Sequence, residues 1–398
     1  MTGISVAFTV LCIANPKACF GSCPTFYAFD GEKMVLQAES FSSSVMPLLE
    51  NNDIDALYNI KPQSRFLELQ MKNEALETHI IRSADLLAFK KPIGGRVLST
   101  PDNEFYEITN FMQPLKAVDS EGDISEKICA FDGNERFSKA DSNNLSEKEV
   151  IDLSFRNNQT SNKGLVVAFR QTLLTTFLFY QSLAYMGNSV GYYFAEIERN
   201  KNYFKSKLKS PGELLGGIEV FYQDTNATWL KAGEFNETGP IASNIQVLRI
   251  NSFKGDLNIQ LRMARGMWRL DYVSMVDIGD EVNPLRILPK SSFPSELAEQ
   301  NVITSLSDQE KVLVTYPGDQ VSLQYELPDT YADYDYFLSA QGYYLEWIRD
   351  EWTVEENKDK VADLFFNPNK YLNDLAPQFK KIEADMEESF WRSKYVLP

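Results

Sequence analysis

The chain has 398 residues, of which 43% are hydrophobic and 13% aromatic, and its formal charge at neutral pH is −17. This composition excludes disorder over most of the chain and predicts two or three domains with a substantial core. The negative charge argues against nucleic acid or anionic lipid as a partner, because both would be repelled.

The first residues are apolar but do not read as a standard signal peptide. No Lys or Arg precedes the apolar run of residues 1–14, so the charged region of such a signal is missing. The alternation of Ile4, Val6 and Phe8 with the residues between them favours a half-buried strand. We therefore expect that Met1 does not begin the natural precursor, or that a signal has been removed.

A hairpin is predicted directly after this region. Thr25–Phe29 reads as a strand, Asp30-Gly31 as a tight turn, and residues 33–37 as the returning strand. Aspartate followed by glycine between two apolar runs is a strong hairpin signal.

Two cysteines precede the hairpin. Cys19 and Cys23 are separated by a Gly-Ser turn sequence that can bring them close enough for a disulfide. The alternatives are two reduced thiols or, with the weakest support, a metal site, for which a second pair of ligands is missing. Cys12 and Cys129 lie far apart in the chain, and the sequence does not determine whether they pair.

Six segments of the sequence together carry a resemblance to known proteins: CFGSCPTFYAFDGE (19–32), AESFSSSVMPLLENNDIDAL (38–57), LQMKNEALETHIIRSADLLAF (69–89), GEFNETGP (233–240), GMWRLDYVSMVDIG (266–279) and GYYLEWIRDEW (342–352). Through them the chain resembles an uncharacterised family of bacterial cell-envelope proteins, many of which look like secreted proteins or lipoproteins. The resemblance implies an extracytoplasmic setting (periplasm, outer membrane or cell surface) and supplies no catalytic residues.

The predicted fold is mainly β. Residues 1–109 form a hairpin-rich module, 110–162 an acidic loop or linker, and 163–328 a jelly-roll-like sandwich of short alternating strands. The sandwich contains a buried apolar helix near 172–186, and residues 329–398 are predicted to be helical. Polar residues interrupt the apolar helix region, so we do not expect it to span a membrane.

Aromatic and acidic residues near the C-terminus are the candidates for a ligand groove. On a helix their spacing would place several of them on one face, although a solvated helix face has the same pattern. The candidates are Tyr343, Glu346, Trp347, Asp350 and Trp352.

No catalytic motif is present in the sequence. It contains no glycine-rich phosphate loop, no His-Glu-x-x-His and no Gly-x-Ser-x-Gly elbow. The acidic run 119–123 lacks the spaced ligands of a calcium loop, and His79 reads as a structural histidine. The sequence therefore predicts no metal, no cofactor and no assignable catalytic residue.

Three functional hypotheses follow. The first is a non-enzymatic extracytoplasmic binding or structural protein, with a glycan or another envelope protein as its partner. The second is a carbohydrate-active hydrolase, which requires a deep cleft with two facing carboxyl groups, one of them with a raised pKa. The third is a scaffold subunit of an envelope assembly that docks through its helical C-terminal region.

Overall fold

The computed structural model describes residues 23–58, 60–156, 162–200, 211–236, 239–250, 256–328 and 333–393. These residues form 24 strands, numbered here in chain order: β1 (Thr25–Phe29), β2 (Met34–Glu39), β3 (Asn51–Leu57), β4 (Phe66–Lys72), β5 (Glu77–Lys90), β6 (Arg96–Ser99), β7 (Phe105–Met112), β8 (Lys116–Asp119), β9 (Gly122–Asp123), β10 (Arg136–Phe137), β11 (Lys148–Phe155), β12 (Lys163–Gln171), β13 (Ile218–Gln223), β14 (Trp229–Phe235), β15 (Asn244–Ile250), β16 (Leu257–Ala264), β17 (Trp268–Glu281), β18 (Leu285–Ile287), β19 (Ser291–Phe293), β20 (Glu296–Leu297), β21 (Gln300–Asn301), β22 (Leu313–Thr315), β23 (Gln320–Glu326) and β24 (Tyr334–Glu346).

The same ranges contain seven α-helices: α1 (Leu174–Met186), α2 (Val190–Arg199), α3 (Pro211–Leu215), α4 (Val302–Ser307), α5 (Asp350–Thr353), α6 (Lys358–Phe366) and α7 (Pro368–Ser393). The prediction of a mainly-β fold with a buried central helix and a C-terminal helix is confirmed. No helix in the described ranges is both long and apolar enough to cross a bilayer.

Four sheets form the body of the protein. Sheet A has the strand order β19-β23-β4-β1-β2, and sheet B has β18-β5-β24-β3, with β22 also paired to β5. Sheet C has β10-β17-β12-β15-β6-β7, and sheet D has β14-β13-β16-β11-β8-β9. The predicted hairpin of β1 and β2 is antiparallel, as expected. Strands β12 to β17 pass repeatedly between sheets C and D, a kind of connection that jelly rolls use.

The sheets are stacked in the order A, B, C, D, with an apolar core between each neighbouring pair. On strand β5, Leu86 faces the core between A and B, whereas Leu87 faces the core between B and C. On strand β12, Val166 faces sheet B and Val167 faces sheet D. Strands buried on both faces need apolar residues at successive positions, which explains the continuous runs of Leu86–Phe89 and Leu165–Phe169.

The sequence-based division into modules differs from this arrangement. Strands of residues 25–90 pair with strands of residues 285–346 to form sheets A and B, while β6 and β7 belong to sheet C. The boundaries predicted at 109 and 328 therefore do not coincide with the sheets. Pairing between distant segments leaves no mark in local composition, so the sequence pattern could not show it.

The segment 110–162 was predicted to be a loop or linker, which is wrong for much of it. Strand β11 pairs with β16 over its whole length in the centre of sheet D. Its buried positions include Glu149 beside Ile151, Leu153 and Phe155, so a carboxylate interrupts the expected apolar alternation. Hydrogen bonds from the side chains of Arg136 and Ser138 to Glu149 make that burial possible.

The helix predicted around Tyr343 is also wrong. Strand β24 continues to Glu346, and helix α5 begins only at Asp350. The strand lies in the middle of sheet B, with Leu338 packed toward sheet A and Phe337 toward sheet C. An aromatic run that is buried on both faces fits helical and strand periods equally well, which explains the error.

The C-terminal helix α7 packs against helix α1 and the core between sheets C and D. The buried residues of α7 contribute to the core between sheets C and D, including Tyr371, Leu375, Phe379 and Phe390. Phe379 contacts Phe177 of α1, with the ring centroids 5.3 Å apart. This apolar face is therefore packed within the chain.

Sheets A and B form one sandwich and sheets C and D a second one, and Phe337 provides a test of the contact between these two sandwiches. Its side chain is 1% exposed and its ring contacts Phe89 and Phe105, at centroid distances of 5.5 and 5.1 Å. We expect Phe337→Ala to lower the free energy of unfolding by about 3–5 kcal/mol, because it leaves a cavity between sheets B and C. Urea titration followed by tryptophan fluorescence measures this loss.

The matched control is Phe293→Ala, because Phe293 is 82% exposed. It should change the unfolding free energy by less than about 0.5 kcal/mol. Equal effects of the two substitutions would contradict the packing described for sheets B and C.

Candidate functional site

A cavity of about 820 Å³ lies between the two sandwiches. Strands β2, β5 and β24 of sheets A and B provide one wall, and strands β11, β13 and β14 of sheet D provide another. Helices α1 and α3 also contribute to the lining. Its volume is within the range of small-molecule sites, roughly 300–1,000 Å³.

Three glutamates form the wall contributed by sheets A and B, called here the carboxylate wall: Glu39, Glu77 and Glu346. Their side chains are almost completely buried, with Glu346 3% exposed. Glu39 accepts a hydrogen bond from the backbone N–H of Ile241 at 2.8 Å. His79 Nε2 lies 3.2 Å from Glu77 Oε2. Such burial of acidic groups is costly unless charge or hydrogen bonds compensate it.

The pKa values of this wall reflect that cost. Burial raises the pKa of Glu77 well above its usual value, and the nearby charge of Glu346 raises it further. Burial likewise raises the pKa of Glu346 to about 7, against the opposing effect of Arg349. A carboxyl group with a pKa near neutrality in a cavity is a common property of functional sites.

Arg349 neutralises part of the wall from behind. Its Nη2 donates to Glu346 Oε1 at 2.7 Å. Its guanidinium also lies over the rings of Tyr180 and Trp352, at 4.7 and 4.5 Å from the centroids. Contacts with two aromatic faces and one carboxylate fix the position of the guanidinium, and through it that of Glu346.

One buried polar atom of the lining, Trp268 Nε1, has no hydrogen-bond partner among the described residues. Glu346, in contrast, is hydrogen-bonded to Glu77 and Tyr180 as well as to Arg349. Trp268 is 1% exposed and packs against Phe169, with the ring centroids 5.8 Å apart. Buried polar groups are nearly always satisfied in proteins, so an unsatisfied indole N–H on the cavity wall indicates a place for a hydrogen-bond acceptor of a ligand.

The wall from sheet D is closer to electrical balance. Lys231 Nζ donates to both Glu219 and Glu234, at 2.8 and 2.7 Å. Lys148 Nζ donates to the carbonyl of Leu215 at 2.5 Å. Burial lowers the pKa of Lys148 below its usual value.

The structure separates the five residues predicted to line a groove. Glu346 lines the cavity, and Trp352 is buried behind it against Arg349. Tyr343, Trp347 and Asp350 are not part of this lining. Trp347 is 44% exposed and donates from Nε1 to Thr78 Oγ1 at 2.9 Å. A strand turns successive side chains to opposite faces, so residues expected on one helix face are dispersed.

The predicted disulfide remains a prediction. Cys23 is buried and lines the cavity, but its partner Cys19 lies outside the described residues. Cys12 also lies outside them, and Cys129 is exposed, with its Sγ donating to the carbonyl of Glu126 at 3.3 Å.

Sequence reasoning missed most of the lining, including Glu39, Glu77, Tyr180 and Trp268. A signal for several of these residues was nevertheless present. Each of the six segments on which the predicted resemblance rests contributes at least one residue to the cavity: Cys23, Glu39, Glu77, Glu234, Trp268 and Glu346. Segments from both sandwiches therefore meet at one place.

Metal ligands are not grouped in this part of the molecule. Within the described ranges, no set of three or more His, Cys, Asp or Glu side chains is arranged to hold a metal ion.

Comparisons with known proteins give little guidance. No protein-family model matches the chain, and no curated protein matches it. Among solved structures, it is similar to BuGH86 in complex with neoagarooctaose (8% identity, TM-score 0.19), covering 57% of this chain and 33% of that one. It is also similar to a β-porphyranase of glycoside hydrolase family 86 from the human gut bacterium Bacteroides plebeius (8% identity, TM-score 0.20; 64% and 43% covered).

A third similar structure is that of allantoicase, at 7% identity and a TM-score of 0.22, with 69% of this chain and 98% of that chain covered. The chain spans about one third of the length of BuGH86 and less than half of the porphyranase. At these TM-scores the similarities carry no functional argument.

Proposed function

We propose that the protein is a binding protein of the bacterial cell envelope, and that its cavity holds a hydroxyl-rich ligand such as the end of a glycan. The buried indole N–H of Trp268, which has no hydrogen-bond partner among the described residues, carries this proposal. It requires an acceptor, which a hydroxyl group supplies, and a sugar presents several hydroxyls on a rigid frame.

The remaining lining supports the same ligand class. Phe179, Tyr180 and Tyr344 offer aromatic surface, on which the apolar face of a sugar ring can pack. The hydroxyl groups of Ser42, Ser43, Thr175 and Thr176 and the amides of Gln171 and Asn236 add donors and acceptors.

An extracytoplasmic location is part of the proposal. It is supported by the family resemblance and by the spacing of Cys19 and Cys23, which suits a disulfide in an oxidising compartment. Counting the thiols of unreduced protein recovered from the native envelope tests this. Four reactive thiols after unfolding would contradict the disulfide, and recovery from the cytosol would contradict the location.

Trp268→Phe is the direct test of ligand binding. A glycan array identifies a ligand, and calorimetry then measures its affinity. The substitution removes Nε1 and leaves much of the aromatic surface, so we expect binding roughly 3- to 10-fold weaker, the equivalent of one hydrogen bond.

Trp391→Phe is the matched control, because Trp391 is 41% exposed on α7 and is not part of the cavity lining. The affinity of the Trp391→Phe variant for the glycan should equal that of the unchanged protein. An equal effect of both substitutions, or the absence of any glycan ligand, would contradict the proposal.

Hydrolysis of a bound glycan is the second candidate. It is favoured by Glu346, because a carboxyl group with a pKa of about 7 can donate a proton near neutral pH. Glu219 and Glu234 of sheet D line the same cavity and offer the second carboxylate of such a reaction. The test is to incubate the protein with the glycans that it binds and to measure new reducing ends. Reducing ends that form with the unchanged protein but not with Glu346→Gln would establish hydrolysis, and glycans that stay intact would exclude it.

A further inference from the structure

We infer that the cavity binds an acetamido group of its ligand, held by the side-chain amide of Gln171 and the indole N–H of Trp268. This inference rests on the proposed function, and it narrows the ligand class to sugars that carry an N-acetyl group. The evidence is a pair of neighbouring side chains in the cavity whose polar groups are left over once the hydrogen bonds of the described residues are assigned.

Gln171 and Trp268 lie side by side on one face of sheet C. They are directly opposite each other in the register of the antiparallel strands β12 and β17. Residues in such positions point to the same face of a sheet, with their Cβ atoms about 4.5–5.5 Å apart. Both residues line the cavity, and they are 4% and 1% exposed. Their polar groups can therefore contact one and the same group of a ligand.

The side-chain amide of Gln171 has no hydrogen-bond partner in the part of the chain that the structure describes. Its backbone N–H donates to the carbonyl of Gly239 at 3.0 Å, which fixes the strand but leaves the side chain unpaired. Trp268 Nε1 is also without an acceptor there. Burying an amide or an indole N–H without a partner is costly, so two such groups side by side indicate a ligand that satisfies both.

An acetamido group matches the hydrogen-bonding pattern of this pair. The Gln171 amide offers two N–H donors and one carbonyl acceptor, and the Trp268 indole offers one donor. The carbonyl oxygen of an acetamido group can accept from both residues, and its N–H can donate to Gln171 Oε1. Met267 and Phe179 also line the cavity and offer apolar surface for the methyl group.

Other ligand groups match the pair less well. A carboxylate would leave Gln171 Oε1 without a donor, and an ammonium would leave the Trp268 N–H without an acceptor. The opposite wall also suits a neutral ligand. Burial raises the pKa of Glu77 well above its usual value and that of Glu346 to about 7, so protons remove much of the charge of this wall near neutral pH.

Three trisaccharides of the same linkage test the inference: the N-acetylglucosamine trimer, cellotriose and the glucosamine trimer. They differ at each C2, where they carry an acetamido group, a hydroxyl or an amine. We expect the N-acetylated trimer to bind the full chain at pH 7 about tenfold more tightly than the other two, the equivalent of one or two net hydrogen bonds. Calorimetry with each trimer in turn measures the three affinities.

Gln171→Met should remove this preference, because methionine has a similar length but neither a donor nor a strong acceptor. The affinity for cellotriose should change little. Gln320→Met is the matched control, since Gln320 is exposed on β23 and is not part of the cavity lining. The control should keep the preference. Thermal melting checks that each variant folds, and Gln171→Glu, which loses the two donors, replaces Gln171→Met if the latter does not fold.

The outcomes separate the inference from the proposed function. Equal binding of the three trimers, or a preference that persists in Gln171→Met, would overturn the acetamido contact and leave the glycan site standing. Binding only of glycans without N-acetyl groups on the array would have the same meaning. Absence of any glycan ligand would contradict both the inference and the proposed function.

Discussion

Replacing Arg136 by methionine is expected to lower the free energy of unfolding by about 3–5 kcal/mol, the cost of leaving buried charges without their partner. The Arg136 side chain is 2% exposed, and those of Asp119 and Glu149 are 5% exposed. Its Nη2 donates to both carboxylates at 2.7 Å, and Nη1 donates to Glu149 Oε1 at 2.9 Å. Ser138 Oγ donates to the same Oε1 at 2.7 Å.

The electrostatics of this group explain why the loss is large. Burial raises the pKa of Asp119, but the hydrogen bonds and charge of Arg136, together with hydrogen bonds from the backbone N–H groups of Glu121 and Gly122, outweigh burial and hold that pKa below its usual value. Methionine fills a similar volume without a charge, so two buried carboxylates would remain without their shared cation.

Chemical denaturation of the full chain measures the effect. Arg136→Lys should lose less, because it keeps the charge but not the paired hydrogen bonds. The surface control is Arg392→Met on α7, where Arg392 and its partner Glu388 are 72% and 64% exposed and should contribute under about 1 kcal/mol. Similar stabilities of Arg136→Met and Arg392→Met would show that the buried network is not needed for folding.

The second large effect concerns pH: the ligand-free protein should become less stable as the pH rises from 5 to 8. Burial raises the pKa of Glu346 from 4.5 to about 7 on folding. A group whose pKa is higher in the folded state than in the unfolded state stabilises the folded protein. Its contribution to the free energy of unfolding is complete below the unfolded-state pKa and is lost as the pH rises through the folded-state pKa. For Glu346 the loss is about 3 kcal/mol, complete above pH 7.

Unfolding in urea at pH 5, 6, 7 and 8 measures this dependence. Glu346→Gln cannot titrate at this position and should reduce the slope between pH 5 and 8 without abolishing it, whereas Glu310→Gln, at an exposed position, should leave it unchanged. Glu355 contributes in the same direction, because burial raises its pKa to about 7 as well. A variant at Glu346 that kept the full slope would contradict the raised pKa assigned to that carboxyl group.

Much of the secondary structure follows from local sequence. The Asp30-Gly31 turn joins β1 and β2 as predicted, and Asp30 Oδ1 accepts hydrogen bonds from the backbone N–H groups of Glu32 and Lys33. The apolar run after residue 172 forms helix α1 as predicted. Such features depend on neighbouring residues, so composition and period identify them.

The candidate site, in contrast, depends on the pairing of strands that are far apart in the chain. Glu77 follows a polar turn and Glu39 ends strand β2, so each reads locally as an ordinary surface acid. They become a buried wall because β24 pairs with β5 and brings Glu346 opposite Glu77 in the register. Glu346 lies 269 residues after Glu77 (346 − 77), and a register over such a separation cannot be derived from local pattern.

The sequence by itself determined the mainly-β class, the first hairpin, the central helix and the absence of recognised catalytic motifs, because turns and apolar periods are encoded by residues close together in the chain. The tertiary structure decided that four sheets stack in series, that segment 110–162 supplies a central strand, and that glutamates from β2, β5 and β24 share one cavity. The physical reason is that buried charged groups depend on partners from distant segments, such as the backbone N–H of Ile241, 202 residues away, which donates to Glu39. Those partners meet only when the chain is folded.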